Sequence, residues 1–225
     1  MWPLPPRDDP DEPGNGRAGA PPLVAAARDA GVRDPRVLEA VAATPREAFV
    51  PASLVRVAQS DRPLPLPDGQ TTSQPSLIAR MVEALELTGE ENVLEVGSGH
   101  GYQTALLSRL ARSVHSVELF ADLAEAANAN LRRHGVSNAE VTVGDGAEGV
   151  PAHAPFDGIV VSAAAAEVPP CLFEQLAPGG RLVVPLGPGG NERVVLFQEH
   201  DGALRPRELI TLARFVPLLP GGEGG

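Results

Sequence analysis

Apolar residues along this chain fall into two spacings, and the order of those spacings predicts the architecture. A short helical stretch over 23–30 is closed by Gly31. A second helix is predicted to start at Asp34-Pro35 and run to residue 43, with Val37, Leu38 and Val41 on one face and Pro45 ending it. Leu64-Pro65-Leu66-Pro67 is extended, because each proline biases its predecessor away from helix, and Asp68-Gly69 is a turn. Pro75 then opens a helix whose core face is Leu77, Ile78, Met81, Val82 and Leu85.

From residue 92 onward, short apolar runs alternate with helical patterns. Strands are predicted at 92–96, 114–118, 141–143, 156–162 and 181–185. Helices are predicted at 102–111 and 121–134, and a further one carries Leu172, Phe173 and Leu176. Residues 194–198 and 208–215 read as late antiparallel strands. This order predicts an α/β fold with a mostly parallel central sheet, helices on both faces and antiparallel C-terminal strands. A single domain is expected over 22–219, including an N-terminal helical segment over 22–90. It lies between a Pro/Gly-rich tail over 1–21, expected to be disordered, and a flexible tail over 220–225.

In such a sheet, ligands bind at the carboxyl ends of the strands. The candidate chemistry gathers there. Glu95, Gly97, Gly99 and Gly101 form an E-x-G-x-G-x-G turn between a strand and a helix. The third glycine comes four residues after the first, where a dinucleotide fingerprint needs five. That spacing favours S-adenosylmethionine over a nicotinamide cofactor. Glu118 ends the next strand, 21 residues past Gly97, where a carboxylate can accept from both ribose hydroxyls. Asp145, between Gly144 and Gly146, is either a plain turn residue or the acceptor for an adenine amino group. Ser162 ends the fourth strand. Gln70-Thr71-Thr72-Ser73-Gln74 leads into the helix at Pro75. This polar run is readable as an N-cap made by Ser73 or Gln74, as an anion site at a helix N-terminus, or as both.

Composition narrows the chemistry. All 18 basic residues are arginine, so a Schiff-base or P-loop lysine is excluded. The net charge of −11 argues against nucleic-acid partners. The lone cysteine, Cys171, excludes an internal disulfide and is expected to be a packed thiol. The five histidines are scattered without metal-ligand spacing, so no metal site is expected. No apolar run reaches the ~20 residues that span a bilayer, and the first residues lack a signal-peptide pattern. A cytoplasmic monomer without membrane contacts is the expectation.

The segments GQTTSQPSLIARM, VLEVGSGHGYQTALL, GDGAEG, APFDGIVVSAA and LAPGGRLVVPLG follow in this order. Together they resemble the protein-L-isoaspartate O-methyltransferase family, and the likeness runs over roughly 23–219. The resemblance implies a Rossmann-like methyltransferase fold. It also implies transfer of a methyl group from S-adenosylmethionine to the α-carboxyl of L-isoaspartyl and D-aspartyl residues in peptides or proteins. The ester would lead through a succinimide to repair. Ser73 matches the residue regarded as catalytic. Thr71, Thr72, Glu95, Gly97, Ser98, Gly99, Gly101, Glu118, Leu119, Asp145 and Gly146 match the cofactor-binding positions. Two residues depart from the family pattern: Gln59 stands where tyrosine is common, and Ser162 where threonine is. Gln59 and the Pro-rich tail leave open an alternative enzyme that esterifies an aspartate in one dedicated partner peptide.

Overall fold

The computed structural model describes residues 21–221, so the tail readings for 1–20 and 222–225 lie outside the described residues. Two helices come first, α1 (Pro22–Asp29) and α2 (Pro35–Ala43). Asp34 caps α2, its carboxylate accepting from Arg36 N–H at 2.8 Å. Short strands β1 (Leu64–Pro65) and β2 (Thr71–Thr72) then form an antiparallel pair. Helix α3 (Pro75–Ala84) follows, and α1 and α2 pack on it.

The main unit alternates as read: β3 (Asn92–Val96), α4 (Tyr102–Leu107), β4 (Ser113–Glu118), α5 (Ala121–Arg133), β5 (Ala139–Val143), β6 (Phe156–Val161), α6 (Pro170–Glu174), β7 (Leu176–Leu186), β8 (Glu192–His200) and β9 (Ala203–Ala213). The seven-stranded sheet has the order β5-β4-β3-β6-β7-β8-β9. Pairings from β5 across to β7 are parallel, and β8 and β9 are added antiparallel. The chain steps outward from β3 to β5 and then crosses back to β6. The switch point therefore lies between β3 and β6, where this topology opens a crevice.

Strand side chains alternate between two cores, as the period of two requires. Val93, Val114, Val160 and Val183 face the layer containing α1 to α5. Leu94, Val96, Val117, Ile159, Val161 and Leu182 face the other side, which Leu172 of α6 covers.

Several boundaries differ from the sequence reading. Helix α4 ends at Leu107 rather than 111, because residues 108–112 wind into turns. Asn138 stabilises those turns by donating to Ser108 O and Ala111 O at 2.9 and 3.1 Å. Leu176 opens β7 instead of closing a helix, and β7 carries Gly179-Gly180 through a register shift against β6. Strand β9 begins at Ala203, after an Asp201-Gly202 turn in which both residues have positive φ. It includes Pro206, which an edge strand tolerates.

Candidate active site

Strand β3 ends at Val96, and the chain reverses through Gly97, Gly99 and Gly101 at φ of 86°, 53° and 89°. These left-handed values cost little only for glycine. The turn presents Gly99 N–H to Glu118 Oε2 at 2.9 Å, and Phe120 N–H reaches Glu118 Oε1 at 3.2 Å. Burial raises the pKa of the Glu118 carboxyl, and these backbone donors pull it back. A carboxylate has about four acceptor positions, so two bonds leave room for hydroxyl donors. Gly146 packs so close to β3 that a Cβ there would overlap Val96 Cγ1.

These groups border a cleft at the switch point, open to solvent. Its floor comes from Val96, Gly97, Ser98, Gly99, Val117, Glu118, Leu119 and Gly146. Gln70, Thr71, Thr72 and Ser73 form the opposite wall, with Ile78 behind them. Val216 to Leu219 complete the lining from the C-terminal side. Among the described residues, Glu118 is the one charged group lining the cleft.

The wall over 70–73 is held from beneath. Arg46 has 0% exposure, and its guanidinium donates to four carbonyls: Ala58, Ser60, Arg62 and Ser73, at 2.8 to 3.1 Å. Burial lowers the pKa of this guanidinium. The start of α3 is capped neither by Ser73 nor by Gln74. Asp61 does it instead, accepting from Ser76 N–H at 2.9 Å, from Ser76 Oγ and from Gln74 Nε2. The helix end expected to hold an external anion thus already holds an internal one.

Nine of the twelve residues singled out from sequence line the cleft: Thr71, Thr72, Ser73, Gly97, Ser98, Gly99, Glu118, Leu119 and Gly146. Glu95, Gly101 and Asp145 do not. Glu95 points from β3 into the helix layer, fully buried, and accepts from Thr104 Oγ1, Ser116 Oγ and Gln103 Nε2. Burial pushes its pKa up to about 7 against those three hydrogen bonds. Gly101 caps α4 and backs onto Ala127. Asp145 accepts from Ala147 N–H at 2.8 Å and from Gly221 N–H at 2.6 Å. Gln59 is exposed, donates to Glu47 at 2.8 Å and does not line the cleft. Cys171 is half-buried rather than packed, with its thiol 3.7 Å from Glu148.

Sequence reasoning missed Tyr102 and Gln103, the first residues of α4. Both line the cleft, and Tyr102 Oη and Gln103 Oε1 are buried without a hydrogen-bond partner among the described residues. Gln103 Nε2 donates to Ser162 Oγ at 3.0 Å, tying α4 to the end of β6. The site suits S-adenosylmethionine: a carboxylate for a ribose, apolar shelves for a base, a glycine cradle, and buried polar atoms facing the space between.

The comparisons agree with this geometry. The family model for Protein-L-isoaspartate(D-aspartate) O-methyltransferase matches residues 20–223. A protein-L-isoaspartate O-methyltransferase of Anaeromyxobacter dehalogenans is 53% identical over 191 residues, covering 84% of this chain and 91% of that protein. A solved protein-L-isoaspartate O-methyltransferase superposes with a TM-score of 0.76 at 33% identity, covering 90% of this chain and 66% of that one. A Plasmodium falciparum structure titled as a putative member, in complex with S-adenosyl-L-homocysteine, gives a TM-score of 0.75 at 22% identity, which speaks for the fold. It covers 89% of this chain and 98% of that one. With the motifs, the sheet order and the cleft all in register with that match, the chain belongs to the protein-L-isoaspartate(D-aspartate) O-methyltransferase family.

Proposed function

We propose that this chain esterifies the free α-carboxyl of L-isoaspartyl, and D-aspartyl, residues in peptides and proteins, with S-adenosylmethionine as methyl donor. The observation that carries this reading is the charge pattern of the cleft. Among the described residues its one charged lining group is Glu118, where a ribose would lie, and the wall from Gln70 to Ser73 is uncharged.

When bound, S-adenosylmethionine supplies an electrophilic methyl group on a sulfonium. The residues that would hold it are Glu118 and Leu119 at the ribose, Gly146 beside the base, and Gly97 to Gly99 with Thr71 and Thr72 around the remainder. The acceptor carboxylate is ionised at neutral pH, since an α-carboxyl has a pKa of about 3.5, so no general base is needed. What the protein contributes is orientation, which can amount to several kcal/mol of barrier. An arginine clamp on the acceptor would tie up the attacking lone pair, and no arginine lines the cleft among the described residues. The Ser73 hydroxyl can donate to a carboxylate oxygen and steer it without neutralising it. Arg46 holds the Ser73 carbonyl and Asp61 holds Gln74 and Ser76 just beyond it, fixing where the hydroxyl starts from.

The alternative with one dedicated peptide rested on Gln59 and on the Pro-rich tail, of which residues 1–20 lie outside the described residues. The Gln59 side chain is engaged with Glu47 on the surface, so nothing there favours a special partner. The deciding experiment is transfer of labelled methyl to an isoaspartyl peptide beside its normal-aspartyl twin. Label on the first and not the second supports the reading. Equal labelling, or none, removes it.

A further inference from the structure

Three side chains far apart in sequence converge at the amino ends of the strands, on the opposite rim from the cleft. His115 lies on β4, Glu140 on β5, and His153 on a single 3-10 turn, Pro151–His153, ahead of β6. His115 Nδ1 is 3.0 Å from Glu140 Oε1, and His153 Nε2 is 3.3 Å from the same oxygen. The three donor atoms all lie within 4.8 Å of one another, and no other such group of histidine, cysteine and acidic residues occurs among the described residues. The two imidazoles are stacked, with ring centroids 3.8 Å apart. Each presents a nitrogen to the same side.

We propose that His115, Glu140 and His153 form a binding site for a divalent cation of the zinc type. The donor set decides the class of ion. Two imidazoles and one carboxylate suit Zn²⁺ and its late first-row neighbours, whereas Ca²⁺ and Mg²⁺ call for oxygen cages. The spacing fits as well. Ligands at 2.0–2.1 Å around a tetrahedral ion stand about 3.3 Å from one another. The two separations measured to the Glu140 oxygen are already close to that. Three protein ligands leave the fourth position for water.

The support beneath the site is uneven in a useful way. His115 is the inner anchor, with 16% of its side chain exposed, while His153 and Glu140 are 41% and 53% exposed. An ion can enter from solvent, on the side where His153 and Glu140 are exposed. The turn carrying His153 is pinned, because Asn92 Nδ2 donates to His153 O at 2.8 Å and to Pro155 O at 3.0 Å. His115 lies three residues before Glu118, so ~10 Å of strand separates the site from the cleft. The ion would not touch the reacting atoms. It would tie β4, β5 and the approach to β6 together, and stabilise the fold by mass action.

The test is titration of the chelator-treated full chain with Zn²⁺ alone, read by calorimetry and by competition with a chromophoric indicator. One equivalent should bind saturably, and Tm should rise with Zn²⁺ concentration. In a His115→Ala/His153→Ala double variant, affinity should fall at least tenfold and the Tm response should vanish. His153→Gln, at a half-exposed position, repeats the test should the double variant not fold, and should leave methyl transfer without added metal unchanged. Absence of a one-equivalent saturable event, or equal Zn²⁺ affinity in His153→Gln and the parent, would overturn the proposal.

Discussion

Arg46 Nη2 donates to the carbonyl oxygen of Ser73 at 3.1 Å, from a side chain with no exposed surface. The same guanidinium gathers carbonyls from Ala58, Ser60 and Arg62, so one buried cation organises the loop that walls the cleft. Arg46→Ala would leave buried carbonyls without donors and is expected to destabilise the fold by about 3–5 kcal/mol. Arg46→Lys should recover only part, because an ammonium has three donors at one point rather than a planar fork. Urea denaturation of both variants checks this. Parent-like midpoints would mean that the loop is held by other contacts.

Ser73→Ala should lower turnover on an isoaspartyl peptide by about 10–100-fold, the worth of one hydrogen bond to a charged group. S-adenosylmethionine affinity should change little. The measurement is kcat alongside a directly titrated Kd. A collapse in Kd with normal residual turnover would move Ser73 into the donor half of the cleft.

Glu118→Ala should weaken S-adenosylmethionine binding by about 1–3 kcal/mol, the range for charge-assisted hydrogen bonds. Glu118→Gln should fall between the two, since one acceptor oxygen is kept. Equilibrium dialysis with the donor reads this directly. An unaltered Kd would exclude a ribose contact.

Glu95 offers a pH signature. Its folded pKa, pushed up to about 7 by burial, lies above the 4.5 of a free glutamate. For an acid shifted upward, its contribution is fully present below the unfolded pKa. It is lost as pH rises through the folded value, because the folded state then has to ionise a buried group. Glu95→Gln cannot ionise. Its stability relative to the parent should therefore improve between about pH 4.5 and pH 8, by up to about 3 kcal/mol. Parallel thermal melts of parent and variant over that range test the sign. A flat difference would mean that Glu95 titrates normally.

What was legible in the sequence was what is local. The strand, glycine turn and helix around Gly97 depend on residues a few positions apart, and the period-two strands announce their faces. Glu118 follows from a fixed distance past the turn. Contacts made by the folded chain over long separations were not legible. Asp61 caps a helix that begins fourteen residues later, and no N-cap rule looks so far upstream. Arg46 is surrounded by four carbonyls that only the fold brings to it. Glu95 belongs to the cofactor motif by spacing, yet strand alternation turns it into the helix layer. Val216 to Leu219 join the cleft by an isolated bridge between Pro217 and Ala164, a pairing no local pattern announces. His115 and His153 meet only because β4 and the turn before β6 are brought together across the sheet.

The cleft draws one side from Val216 to Leu219, and Gly221 is bonded to Asp145. A chain emerging from the ribosome builds its parallel strands well before this stretch is free. The methyl donor therefore cannot act as a nucleus for the growing polypeptide. Ligand-assisted folding, for this protein, begins only once Val216 to Leu219 have joined the parallel strands.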